Sequence, residues 1–170
     1  MPSLFPGRRR PFGYGKELAK YRNELWERTQ RIDARLAEVA DALDALRRRA
    51  LDPADAMEQL GSYEDELDAA STEIVEMLAP EELHGLHMEY EANLERAIRG
   101  LVTAERGCAI TRLPHRPKED EEVFSYYKRG HLNVIHARLR MQELVEVLVA
   151  WEPGRPAEAS LATRLHRDQA

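Results

Sequence analysis

Only one cysteine, Cys108, stands among the 170 residues, so no disulfide can close within the chain. No apolar run approaches the roughly 20 residues that a helix needs to cross a bilayer, which removes a membrane span. Arg8, Arg9 and Arg10 lead into Pro11, Gly13, Gly15 and Lys16 rather than an apolar stretch. Without a secretory h-region, the expectation is a cytoplasmic protein. Catalytic motifs are missing as well. There is no glycine loop ending in Gly-Lys-Ser/Thr, no GxGxxG, no GxSxG, no HExxH and no cysteine pair. No nucleophile, base and orienting group can be named together, so an enzyme is not expected and no cofactor is assigned.

The charge that is present is unevenly placed. The first 22 residues hold Arg8, Arg9, Arg10, Lys16, Lys20 and Arg22 against Glu17 alone, a balance of +5. The rest carries −11 of a chain whose net charge is −6, and an acidic body repels polyanions.

Residues 1–15 hold three prolines and three glycines, which break any helix and predict a flexible basic arm. From Lys16 the pattern changes. Leu18, Tyr21, Leu25, Thr29, Ile32, Leu36, Val39, Leu43, Leu46 and Ala50 recur at steps of three and four, with Glu, Asp and Arg between them. One apolar stripe on an otherwise solvated helix follows, reaching to about Leu51. Asp52-Pro53 then predicts a fresh start. The aspartate accepts from free N–H groups as N-cap, and a proline at the first helical position gives up no hydrogen bond. The second stripe reads Met57, Leu60, Tyr63, Leu67, Ala70, Ile74 and Met77. Gly61-Ser62, with Asp65 three residues beyond the serine, marks a place where this helix could kink.

Pro80 opens a third helix, with Glu81 and Glu82 at the positive end of its dipole. Its stripe is Leu83, His87, Tyr90, Leu94, Ala97, Leu101, Ala104 and Cys108, and Gly107 is placed to end it. A loop with two prolines separates it from a fourth stripe, Val123, Tyr127, Gly130, Val134, Ala137, Met141, Leu144, Leu148 and Trp151, stopped by Pro153. Gly130 permits a close approach to the region of Leu94 to Leu101, and Tyr127 is expected to cover Gly100.

The fold class read from these stripes is all-α. It is an antiparallel up-down-up-down four-helix bundle with coiled-coil-like heptad seams, since short connections make sequential helices antiparallel neighbours. The boundaries are an arm over 1–15, a bundle over 16–152 with helices at 16–51, 53–78, 80–107 and 119–152, and a flexible tail over 153–170. If the break at Pro80 straightened into a kink, the second and third helices would merge into one rod.

Three groups of residues are candidates for function. Leu132, Ile135 and Leu139 make a second apolar stripe on the fourth helix, roughly opposite the first. An apolar patch on a solvated face marks an association surface, most simply that of a two-fold homodimer or a protein partner. Arg8, Arg9, Arg10 and Lys16, interleaved with Phe12 and Tyr14, have the chemistry to touch phosphates and stack on bases. The same arm could instead lie solvated or fold onto the acidic body. His84, His87 and Glu91, at spacings of three and four, align three metal-ligand types on one helix face. Against this, His87 sits on a stripe where packing alone accounts for it. A di-iron site would need two Glu-x-x-His pairs, and only Glu81 with His84 matches.

Residues 78–102 resemble a pattern in uncharacterised bacterial helical-bundle proteins, carried here by Pro80, Glu81, Glu82, Leu83, His87, Tyr90 and Leu94. The resemblance implies a bundle and no activity. Many such proteins look like secreted lipoproteins, whereas this chain has no lipobox cysteine.

Overall fold

The computed structural model describes residues 13–113 and 119–153. Four helices pack together: α1 (Tyr14–Arg47), α2 (Pro53–Val75), α3 (His84–Ile110) and α4 (Glu119–Ala150), with a 3-10 turn at Glu81–Leu83 leading into α3. There is no strand among the described residues. Each helix packs on the next, and α4 returns onto α1. The α3–α4 pairing is the most extensive, and α1 touches α3 only slightly.

The core is built from the stripes. On α1 every stripe residue from Leu18 to Leu46 is buried, and so are Ala40 and Ala42 beside them, because this helix meets both α2 and α4. All eight stripe residues of α3 and all nine from Val123 to Trp151 are buried. On α2 the buried set is Ala56, Leu60, Tyr63, Leu67 and Ile74, with Met57 and Ala70 half-buried. Large apolar side chains at this depth contribute roughly 1.5–3 kcal/mol each, so these rows dominate the stability of the fold.

Helix ends show where local chemistry prevailed over periodicity. α1 stops at Arg47 rather than near Leu51, and Ala50, the last residue of its predicted stripe, is exposed. Arg49 takes a left-handed conformation, with φ 59°. Its N–H donates to the Leu46 carbonyl at 3.0 Å, and the Ala50 N–H donates to that of Ala45 at 2.8 Å. This is the Schellman arrangement that closes a helix, with arginine where glycine is usual. Asp52 then caps α2, its Oδ1 accepting from the Ala54 N–H at 2.8 Å with Pro53 next to it.

α2 runs unbroken through Gly61 and Ser62, so the capping box with Asp65 does not form. It ends at Val75 instead of Leu78, and Leu78 is 93% exposed. The residue before a proline is forced out of the helical region, and closing α2 ahead of Ala79-Pro80 leaves room for the turn. α2 and α3 pack against one another across this connection, which excludes a single merged rod. α3 continues to Ile110, past Gly107, so that glycine does not end it.

The glycines of α3 and α4 meet each other instead. A Cβ on Gly130 would lie 2.6 Å from the Gly100 carbonyl oxygen and 3.1 Å from the Ala104 Cβ. A Cβ on Gly107 would lie 2.8 Å from the Tyr127 ring. Tyr127 therefore covers Gly107 rather than Gly100, whose near neighbours are Gly130, Asn133 and Val134. Small residues on both helices let the two backbones approach, which accounts for the extent of this pairing.

Polar contacts tie the pairs together. Arg28 and Arg31 reach Glu73 at 3.3 and 2.9 Å, and Arg35 reaches Glu66 at 2.6 Å, linking α1 to α2. Arg138 grips Asp33 with both arms of its fork at 2.7 and 2.9 Å, and Gln142 donates to the same carboxylate at 2.8 Å. Arg140 holds Glu89 on α3 at 2.8 and 2.7 Å. The Arg138 fork keeps the Asp33 carboxyl below its usual range.

Candidate functional site

Steps of four and three along α4 place Phe124, Lys128, Leu132, Ile135 and Leu139 on one face of that helix. Phe124, Leu132 and Leu139 are 47%, 41% and 54% exposed, while Ile135 is half-buried against the core. The outer stripe is thus three apolar side chains standing in water with a fourth seated at their edge. Over the 15 steps from Phe124 to Leu139 it extends for roughly 22 Å. Phe124 was not singled out on sequence, although its spacing of four and eight from Lys128 and Leu132 places it on the same row. Trp26, 46% exposed, lies two turns before Asp33 on the side of α1 that meets α4.

His84, His87 and Glu91 do not come together as ligands, and among the described residues no group of three His, Cys, Asp or Glu side chains could hold a metal. The reason is where α3 turns His87. His84 is exposed, whereas His87 is 2% exposed and both of its ring nitrogens are engaged. Nδ1 lies 3.0 Å from the Tyr21 hydroxyl, and Nε2 lies 3.2 Å from the Ile74 carbonyl and 3.1 Å from a Glu91 oxygen. The Ile74 carbonyl and the Glu91 carboxylate both accept, so Nε2 carries a proton; in the neutral imidazole the tyrosine then donates to Nδ1. Burial holds its pKa below the ordinary histidine value, opposed by the Glu91 charge.

The packing explanation therefore accounts for His87, with one addition. Ile74 lies in the last turn of α2, where its carbonyl accepts from the Met77 N–H at 3.0 Å, and the imidazole of α3 supplies a second donor. A second buried pair continues the same side of the core, where Thr29 and Tyr90 join hydroxyls at 2.9 Å. Burial raises the Tyr90 phenol to about 12.

Further along α3, Glu105 faces α2. Burial pushes its carboxyl up to about 7, and Glu64 beside it, by charge and by a shared hydrogen bond, pushes in the same direction, as does Asp65. A raised carboxyl stabilises the fold fully below the unfolded value near 4.5, and that stability is lost as pH rises through 7. Raising the pH from 5 to 8 is expected to remove this contribution to the melting temperature. In Glu105→Gln, which keeps the hydrogen bond without the proton, this dependence should flatten. An unchanged pH slope in the variant would place the titration elsewhere.

Of the arm, Arg8, Arg9 and Arg10 lie outside the described residues, and Lys16 is an exposed residue in the first turn of α1. Tyr14, assigned to the arm on sequence, belongs to α1. It packs against the core, and its hydroxyl donates to Glu82 at 2.8 Å, because the helix starts two residues before Lys16. Tyr14 is therefore committed to the bundle. Two surface dips, one along α1 from Glu24 to Arg31 and one between α2 and α3 at Asp68, Ser71, Thr72, Glu95, Ile98 and Arg99, are open and flanked by charged side chains. No helix among the described residues is long and apolar enough to cross a membrane. The chain matches no family model, no curated protein and no solved structure.

Proposed function

We propose that this chain is a non-enzymatic, cytoplasmic interaction protein: a helical bundle that self-associates through Leu132, Ile135 and Leu139. The observation that carries this reading is the outer stripe of α4. A helix already paired on α1 and α3 has no need of Phe124, Leu132 and Leu139 in water, and contiguous apolar side chains on a surface are typical of association sites. A two-fold dimer covers such a stripe with a second copy of itself.

The arrangement proposed for the bundle is up-down-up-down with heptad-like seams. What supports it is the order of the pairings. Arg28 meets Glu73 while Arg35 meets Glu66, Glu89 meets Arg140 while Gly100 meets Gly130, and Tyr21 meets His87 while Thr29 meets Tyr90. The first two orders descend along the second helix and the last ascends, as alternating directions require. This also fits the bundle implied by the resemblance of residues 78–102. The non-enzymatic reading is supported by the use of the buried polar groups His87, Tyr21, Tyr90 and Thr29 to join helices, with both nitrogens of the His87 imidazole occupied.

Light scattering coupled to size exclusion tests the reading. The native chain is expected at twice its 19.5 kDa mass. Leu139→Glu, at an exposed position that leaves the core intact, is expected to run as a monomer. A native chain that stays monomeric in concentrated solution ends the proposal. Nucleic-acid association through Arg8, Arg9, Arg10 and Lys16 is the alternative, supported by the +5 charge of the first 22 residues against an acidic remainder. Its test is a mobility shift at low salt that disappears when residues 1–12 are removed.

A further inference from the structure

From the charge pattern along α4 we infer that the second copy lies antiparallel on this face, α4 against α4 about a two-fold axis near Ile135. The inference rests on the self-association proposed above and adds its direction and register.

The stripe has a polarity. Beside its first half stand Lys128 and Arg129, both exposed, with exposed Glu121 and Glu122 before them; beside its second half stand Glu143, which also pairs with Arg140 at 2.8 Å, and Glu146, both exposed. The apolar residues Leu132, Ile135 and Leu139 lie between the two charged groups. In an antiparallel pair centred beside Ile135, each position faces the one equally far beyond the centre on the other copy. Leu132 then faces Leu139, Lys128 faces Glu143 with Glu146 one turn on, and Glu121 faces Ala150. Lys128 thereby meets the acidic end of the other copy, Arg129 faces the uncharged Gln142, and each contact occurs twice by symmetry.

A parallel pair with the same residues would stack Lys128 on Lys128 and Glu146 on Glu146, placing like charges on both sides of the apolar centre. Like charges across an interface act against that partner geometry, and the opposite-charge match fixes the register. The occupant is therefore a second copy of this chain, since the stripe and its flanks are complementary to themselves when reversed. Phe124 lies at the rim, opposite the Glu146 end of the other copy.

Disulfide trapping reads the direction. Cys108 is fully buried and stays out of the reaction, so single cysteines at exposed sites report alone. A mixture of Leu132→Cys and Leu139→Cys is expected to cross-link as the mixed pair several-fold faster than either variant with itself. Lys128→Cys is not expected to cross-link with itself, because the antiparallel register holds the two sites roughly 22 Å apart along the axis. Rapid self-cross-linking of Lys128→Cys would overturn the orientation while leaving self-association standing. A native chain that is monomeric by light scattering would overturn both.

A charge reversal gives a second reading. Lys128→Glu is expected to weaken dimerisation by roughly three- to tenfold, and Glu146→Lys added to it to recover most of that loss. No recovery in the double variant would overturn the register.

Discussion

Replacing Gly130 with leucine is expected to lower stability by about 3 kcal/mol or more, the upper part of the range for forcing volume into a packed site. For a chain of this length that is a fall of roughly 6–12 °C in melting temperature. The argument is the 2.6 Å between a Cβ at this position and the Gly100 carbonyl oxygen. The obstacle is backbone, which cannot rotate away as a side-chain end can, so α3 and α4 must separate along their most extensive contact. Gly130→Ala isolates the effect. Alanine is favoured over glycine inside a helix by about 1 kcal/mol, so a net loss in this variant measures the clash against a known gain. Gly61→Ala supplies the reference, since nothing lies within 4 Å of its Cβ, and it should raise stability by about that amount. Thermal or denaturant unfolding of the three variants checks the set, and a stabilised Gly130→Ala would mean that the helices have slack at this crossing.

The second large effect is expected at His87, where alanine should cost about 2–4 kcal/mol. The loss combines a cavity, an orphaned Tyr21 hydroxyl and a carbonyl at the end of α2 without its imidazole donor. The same residue has a signature in pH. Its folded pKa lies below the unfolded value near 6.5, so the unfolded chain takes up a proton more readily. The stabilising contribution is complete above 6.5 and is lost as pH falls below it. His87→Leu is expected to be less stable at pH 7 and to lose less on acidification from 7 to 5. A variant that falls as steeply as the native chain would show that this imidazole is not what titrates. Tyr21→Phe should cost less than His87→Ala, because it leaves one ring nitrogen unpaired and the Ile74 contact whole.

The stripes of α1, α3 and α4 were legible because each buried row follows a spacing of three and four with charged residues between, and the residues so picked out are buried, except Ala50 past the end of α1. Asp52-Pro53 was legible for a local reason, a cap and a proline acting within one turn. What escaped depends on partners or on uncommon substitutions. The end of α1 is a Schellman turn with Arg49 where glycine is usual, so no glycine announced it. Gly107 reads as the end of α3 because glycine often ends helices, when its part is to admit the Tyr127 ring. Phe124 gives little signal, because a single aromatic four residues from a lysine makes no run. Spacing groups His84 and Glu91 with His87 on one face without saying how deeply each is buried: Glu91 does reach the imidazole, whereas His84 is exposed. The Glu64–Glu105 pair requires the register between α2 and α3, and no periodicity within either helix encodes it.

The raised carboxyl of Glu105 and the lowered imidazole of His87 sit near opposite ends of α3, and acid acts on them in opposite senses. Between pH 6.5 and about 5, proton uptake by the carboxyl secures the end of the helix beside Glu64, while proton uptake by the imidazole weakens the end beside Ile74. Total stability can then stay nearly level while the weakest point migrates. In mildly acidic solution the helix should fray first where it begins, and at neutral pH where it finishes.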